Sequence, residues 1–83
     1  MLDSVLHLFE QSQGDKTAAA QWLAKENIAI DLTRLSNADW QVLYDAYSRE
    51  HGDRGHEVRS FEDFQHSVKQ NIAEVVRLSR YYR

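Results

Sequence analysis

The first third of the chain holds two short segments with apolar residues at helical spacing, separated by Gly14. In the first segment, residues 2–13, apolar side chains recur three and four positions apart, which places them on one helix face. We predict that this helix ends at Gly14, because glycine readily adopts the left-handed conformation beyond a helix end. Asp15 is expected to cap a second helix over residues 16–26, and Asn27 to terminate it.

The next segment, Ile28–Leu32, has large apolar residues at alternate positions, which is the period of a β-strand. A single strand would have no partner here, so we predict a packed connector with a short helical turn from Asp31 to Leu35. Ser36 with an acid three residues later is typical of a capping box and predicts a third helix that closes at residues 51–52. Its apolar stripe consists of Trp40, Leu43, Tyr44 and Tyr47.

The fourth amphipathic segment is the longest, and it begins at a Ser60 cap. Its apolar residues recur with an average step of about 3.5 residues, the period of a coiled coil. About twenty helical residues span roughly 30 Å, so we expect the other helices to cover only part of this one. The stripe is therefore predicted to form a homodimer seam of Val68, Ile72, Val75, Leu78 and Tyr82.

Length and composition limit the architecture to one small domain. The chain has 83 residues, no proline and three glycines, at positions 14, 52 and 55. A chain of this length has no room for a second domain, and only the glycines interrupt helix formation. We predict a single all-α domain over residues 1–83: a small bundle of about four helices with a long C-terminal amphipathic helix.

Charge and the absence of cysteine narrow the functional classes. The formal net charge is -3, and residues 1–50 hold four basic and eight acidic residues, against six and five in residues 51–83. A nucleic-acid-binding domain usually carries a basic excess, so nucleic acid is the less favoured partner. The lack of cysteine, of a signal-peptide start and of a long apolar stretch predicts a cytoplasmic protein that contacts no membrane.

The basic and aromatic end of the fourth helix is the main candidate for binding a protein partner. Arginine and tyrosine dominate hot spots in protein interfaces, although cations at a helix C-terminus also stabilise the helix itself by about 0.3–1 kcal/mol. Trp22 is a further candidate anchor, because it lies on an alanine-rich helix. The predicted partner-binding residues are Trp22, Arg77, Leu78, Arg80, Tyr81 and Arg83.

An alternative interpretation is a DNA-binding transcriptional regulator with a variant helix-turn-helix over residues 5–35. Ala19 and Ala20 have the small size that close packing in such a motif requires. The segment in the recognition position, however, offers only Thr33 and Arg34 to a DNA groove. An alanine-rich helix packed in a bundle explains the same pattern.

The segment His51–Glu57 contains two histidines with nearby carboxylates, which are ligands for zinc or nickel. A catalytic zinc site needs three fixed protein ligands with ordered support, which a glycine-flanked surface loop does not supply. We therefore expect solvated loop histidines and no metal. Because nucleophile motifs and phosphate-binding glycine loops are also missing, we expect neither catalysis nor a cofactor.

These patterns together predict a small acidic interaction or regulatory protein of the adaptor, inhibitor or antitoxin-like kind. It is expected to act by binding a protein partner and by self-associating. The long apolar stripe of the fourth helix favours self-association, and its arginine–tyrosine end favours a protein interface.

Overall fold

The computed structural model describes residues 2–83 and contains four α-helices and two 3-10 turns. The elements are α1 (Leu2–Gly14), α2 (Lys16–Glu26), the turn η1 (Leu32–Arg34), α3 (Asn37–Asp53), α4 (Phe61–Ser79) and the turn η2 (Arg80–Tyr82). Helical residues make up 80% of the chain, and no strand occurs within the described range. The predicted all-α bundle is confirmed, and α4 with η2 forms a C-terminal helix of 22 residues.

Side chains at both ends of α2 explain its boundaries. The Asp15 carboxylate accepts hydrogen bonds from the backbone N–H groups of Thr17 at 3.0 Å and Ala18 at 3.2 Å. These donors have no partner inside the helix, so the cap satisfies them. At the other end Asn27 is left-handed, with φ 53° and ψ 45°. The predicted roles of Asp15 and Asn27 are confirmed.

Side-chain caps also begin α3 and α4. The Ser36 hydroxyl accepts from the Asp39 N–H at 3.1 Å, and the Asp39 carboxylate accepts from the Ser36 N–H at 3.0 Å. This reciprocal pair is a complete capping box. The Ser60 hydroxyl accepts from the Asp63 N–H at 3.2 Å. Both predicted serine caps are therefore confirmed.

The end of α1 differs from the prediction. Gly14 is the last helical residue and is not left-handed, because the only residues of the described chain with positive φ are Asn27 and Gly55. The helix stops because Asp15 is extended, with φ -152° and ψ 101°. That conformation is the one an N-cap requires, so the start of α2 fixes the end of α1.

The connector between α2 and α3 agrees with the prediction. Residues 28–30 have no regular structure, and Asp31 caps η1 by accepting from the Thr33 N–H at 3.0 Å. The later boundary differs, since α3 runs to Asp53 rather than ending at residues 51–52. An ion pair between Arg54 and Glu50 at 2.8 Å, four residues apart, supports this last turn.

One apolar core lies between the four helices. Its members are at most 4% exposed: Val5, Leu8, Phe9, Ala19, Ala20, Leu23, Trp40, Leu43, Tyr47, Phe64, Val68, Ile72 and Val75. The small side chains of Ala19 and Ala20 let α2 pack closely, and α2 makes its most extensive contact with α4. Lys16 and Glu74 join the rim of this contact at 2.8 Å.

Aromatic residues anchor the loop between α3 and α4, residues 54–60. The Tyr47 ring stacks on Phe64 with centroids 4.6 Å apart, and the Tyr44 ring meets Phe64 edge-on at 5.5 Å. The Tyr44 hydroxyl donates to the Arg59 carbonyl at 2.6 Å, and the Arg59 N–H donates to the Tyr47 hydroxyl at 3.2 Å. The end of the loop is thus tied to the core.

The other three helices of the same chain cover the apolar stripe of α4. Phe64, Val68, Ile72 and Val75 are each 2% exposed or less. The expectation that much of this helix would be uncovered holds only for its final turn, η2, whose three residues are exposed.

Candidate partner-binding site

The C-terminal turn exposes two aromatic rings. Within η2, Tyr81 and Tyr82 keep 77% and 47% of their surface in contact with solvent. A large aromatic side chain buries about 150–250 Å² when it packs. The folded chain therefore leaves these two side chains uncovered, and both have a large surface on which a partner could pack.

A groove of about 210 Å³ lies beside this turn, between α2, the connector and the end of α4. The left-handed Asn27 ends α2 directly before Ile28, and the connector then runs alongside the last turns of α4. The lining combines apolar residues with two arginines: Leu23, Ile28, Ile30 and Val76, with Arg80 and Arg83. We call this groove, together with Tyr81, the C-terminal surface.

The C-terminal surface is positively charged. Arg77, Arg80 and Arg83 are exposed, and none of them forms an ion pair with an acid of residues 2–83. Glu74, one turn earlier, is held by Lys16, whose hydrogen bond lowers the pKa of the Glu74 carboxyl below its ordinary value. The three arginines are consequently available to a negatively charged partner.

Five of the six predicted partner-binding residues lie at this end of the molecule. They are Arg77, Leu78, Arg80, Tyr81 and Arg83. Leu78 is half-buried against the core, whereas the other four are exposed. Trp22, the sixth, does not line the groove. Its ring is half-buried on α1, with its centroid 4.4 Å from that of His7.

The apolar lining of the groove is not evident from the sequence. Leu23 and Val76 belong to helical stripes whose neighbours are buried, so nothing in the pattern separates them from core residues. The one usable signal is the alternation of Ile28 and Ile30, because alternate residues of an extended segment point to the same side.

The residues predicted for a homodimer seam divide into two groups. Val68, Ile72 and Val75 are 2% exposed or less, covered by helices of their own chain. Leu78 is half-buried and Tyr82 is 47% exposed. Only these last two keep surface on which a second copy could pack, and dimerisation itself stays a prediction.

In the position of a recognition helix the structure has the three-residue turn η1. Arg34 in this turn is exposed, and its guanidinium lies 3.5 Å from the Asp31 carboxylate. A recognition helix presents several side chains to the major groove, which one turn does not. The geometry therefore adds no observation in favour of the helix-turn-helix interpretation.

A polar cavity of about 220 Å³ lies between α1 and the end of α3. Glu10 and Glu50 meet there, beside His51, Arg54 and His56. Burial, followed by the hydrogen bond to Glu50, raises the pKa of Glu10 to about 7. The hydrogen bond from Glu10 lowers the pKa of Glu50. The two carboxyl groups therefore influence each other across the helix contact, an arrangement that sequence spacing does not reveal.

No family model, curated protein or solved structure matches the chain. Within residues 2–83 no helix is both long and apolar enough to cross a membrane. In the same range no three histidine, aspartate or glutamate side chains are grouped as ligands for a metal ion. The C-terminal surface is therefore identified only from its exposed aromatic ring, its apolar lining and its arginines.

Proposed function

We propose that this chain is a non-catalytic interaction or regulatory protein of the cytoplasm that binds a protein partner through the C-terminal surface. One observation carries the proposal: an exposed tyrosine, Tyr81, adjoins a groove that is lined by apolar side chains and two arginines. Apolar contact area and arginine donors at one place are the composition of an interface hot spot.

The charge of the C-terminal surface defines the kind of partner. Arg77, Arg80 and Arg83 project from a protein whose formal net charge is -3. The local positive charge therefore opposes the charge of the whole chain. A partner with an acidic surface and a protruding apolar side chain fits both the arginines and the apolar lining of the groove. Such complementarity raises the association rate and the specificity more than the affinity.

Self-association is the second element of the proposal. Leu78 and Tyr82 are the seam residues with surface left after the chain folds. They adjoin Arg80 and Tyr81 in sequence, so a second copy and a different partner would compete for neighbouring surface. Light scattering over a range of protein concentrations measures the mass, and Tyr82→Asp should shift any dimer to monomer.

The partner proposal is tested by affinity capture from the cells that make the protein, with two matched variants. Arg80→Glu with Tyr81→Ala alters the C-terminal surface. Arg49→Glu with Val42→Ala makes the same charge change and a similar apolar truncation at exposed positions of α3. A protein held by the wild type and the α3 variant, but lost with the C-terminal variant, supports the proposal. Partners held equally by all three contradict it.

A second measurement distinguishes the alternative, DNA-binding function from protein binding. Fluorescence anisotropy with a labelled DNA duplex at low salt should show no binding. Binding that is lost when Lys25 and Arg34 are replaced by alanine, and that weakens steeply with salt, would instead support the transcriptional regulator.

A further inference from the structure

A further groove lies at the opposite end of the connector, between η1, the start of α3 and the middle of α4. It has a volume of about 480 Å³, within the range of about 300–1,000 Å³ found for small-molecule sites. Leu32, Leu35 and Trp40 give it an apolar lining. We call it the Trp40 groove. It shares no lining residue with the C-terminal surface.

The polar groups on the rim of the Trp40 groove include two neutral amides and one ammonium group. Gln65 and Lys69 are four residues apart on α4, so they lie on the same helix face. The Lys69 ammonium is 5.8 Å from the centroid of the Trp40 ring and forms no ion pair within residues 2–83. Asn37, at the start of α3, adds an amide to the rim.

No carboxylate of the described residues lines the Trp40 groove, although the chain has 13 acidic residues and ten basic ones. The two acids closest in sequence to its lining are engaged in capping. Asp31 accepts from the Thr33 N–H and lies 3.5 Å from Arg34, and Asp39 accepts from the Ser36 N–H. The groove therefore combines an apolar lining with one cation, Lys69, that no carboxylate of the lining neutralises.

We propose that the Trp40 groove binds a small organic carboxylate whose apolar group lies on Leu32 and Leu35, against the 4% of Trp40 that stays exposed, and whose carboxylate is held by Lys69 and Gln65. An ammonium next to an aromatic face, at the mouth of an apolar groove, pairs with an anion at lower solvation cost than an isolated surface lysine. The volume of the groove, about 480 Å³, exceeds that of one amino-acid side chain. This favours a free ligand with an aromatic or branched apolar body. This site is independent of the C-terminal surface.

The probe for this site is 4-phenylbutyrate, titrated into the 15N-labelled protein at neutral pH. Saturable shifts of the Trp40 indole N–H and of the Gln65 and Lys69 amides are expected. Lys69→Met should weaken binding at least ten-fold, and Gln65→Glu should do the same by placing a negative charge on the rim. Both positions are at the surface, so the variants should keep the wild-type circular dichroism spectrum. Lys25→Met, an equal charge change at an exposed position of α2, should bind like the wild type.

Two matched ligands decide what the groove recognises. If 4-phenylbutylamine or 4-phenylbutanol binds as tightly as 4-phenylbutyrate, the groove recognises apolar surface alone and the proposal is overturned. The absence of saturable shifts, or equal binding to Lys69→Met, also overturns it. If an acetylated Leu-Glu peptide binds and 4-phenylbutyrate does not, the groove docks a protein segment rather than a free carboxylate, which again contradicts the proposal.

Discussion

The two ends of α4 use tyrosine in opposite ways. At its start Tyr44 and Tyr47 pack on Phe64, and their hydroxyl groups bind the backbone of Arg59. At its end Tyr81 and Tyr82 contact solvent. The first pair therefore holds the chain together, whereas the second is free to contact another molecule.

Titratable side chains also differ between the two ends of the molecule. On the side of the first tyrosine pair, Glu10 of α1 and Glu50 of α3 line one cavity, where burial and the neighbouring Glu50 raise the pKa of Glu10. On the C-terminal side Lys16 and Glu74 form an ordinary ion pair, and the arginines beyond it form no ion pair with an acid of residues 2–83. Polar groups at the loop end serve the fold, and those at the C-terminal end remain available for binding. Mutations at the two ends should therefore differ in their effect on stability.

Truncation of Tyr47 is expected to have the largest effect on stability. Tyr47→Ala removes a ring that is 3% exposed and leaves the Arg59 N–H without its acceptor. Replacing a buried large aromatic residue by alanine costs about 3–5 kcal/mol. A chain of this length has a total stability of about 4–12 kcal/mol. Urea denaturation should therefore show a mostly unfolded or strongly destabilised protein.

The matched change at the other end is Tyr81→Ala. Because this ring is 77% exposed, the free energy of unfolding should change by no more than about 0.5 kcal/mol. Equal destabilisation by Tyr47→Ala and Tyr81→Ala would show that the C-terminal turn is part of the cooperative core, and the contrast between the two pairs would then be wrong.

Much of this fold is local in origin and so could be predicted from the sequence. Caps at Asp15, Ser36 and Ser60 depend on side chains within three residues, and spacing alone reveals them. The burial of Val68, Ile72 and Val75 could not be predicted, because it depends on how closely three other helices approach α4.

The candidate site was predictable to a similar, partial degree. Arg80, Tyr81 and Arg83 are recognisable as a basic and aromatic cluster at the end of an amphipathic helix. Both grooves and the Glu10–Glu50 contact join residues distant in sequence. Helical periodicity carries no information on such long-range pairs.

The next largest effect is a dependence of stability on pH. The folded-state pKa of Glu10, about 7, lies above the ordinary value of 4.5, so the folded state binds more protons between these limits. This contribution is complete below pH 4.5 and is lost as the pH rises through 7. The melting temperature should therefore fall by several degrees between pH 5 and pH 8, measured by circular dichroism at constant ionic strength.

The variant Glu10→Gln tests the origin of this pH dependence. Glutamine can donate to the Glu50 carboxylate at every pH, so the decline between pH 5 and pH 8 should largely disappear. His51, His56 and Arg54 face the same cavity and stay unchanged. The control Glu26→Gln, at an exposed position of α2, should keep the wild-type decline. A decline that persists in Glu10→Gln would show that Glu10 is not its cause.

Removal of the Tyr44 hydroxyl should have a smaller effect. Tyr44→Phe keeps the ring on Phe61 and Phe64 but leaves the Arg59 carbonyl without its donor at 2.6 Å. One such hydrogen bond contributes about 0.5–1.5 kcal/mol. Hydrogen exchange should also speed up at the end of the 54–60 loop. Tyr82→Phe removes a hydroxyl from an exposed ring and should change neither quantity.

The smallest effect is expected for the ion pair between α2 and α4. Lys16 and Glu74 are about 40% exposed at the side chain, and their atoms are 2.8 Å apart. An exposed pair of this kind contributes about 0.2–1 kcal/mol and is screened by salt. A double-mutant cycle of Lys16→Met and Glu74→Gln should therefore give a coupling energy in this range that declines at 1 M NaCl. A larger, salt-independent coupling would mean that the pair is effectively buried. In that case the α2–α4 contact would be held by its polar rim rather than by the alanine packing beneath it.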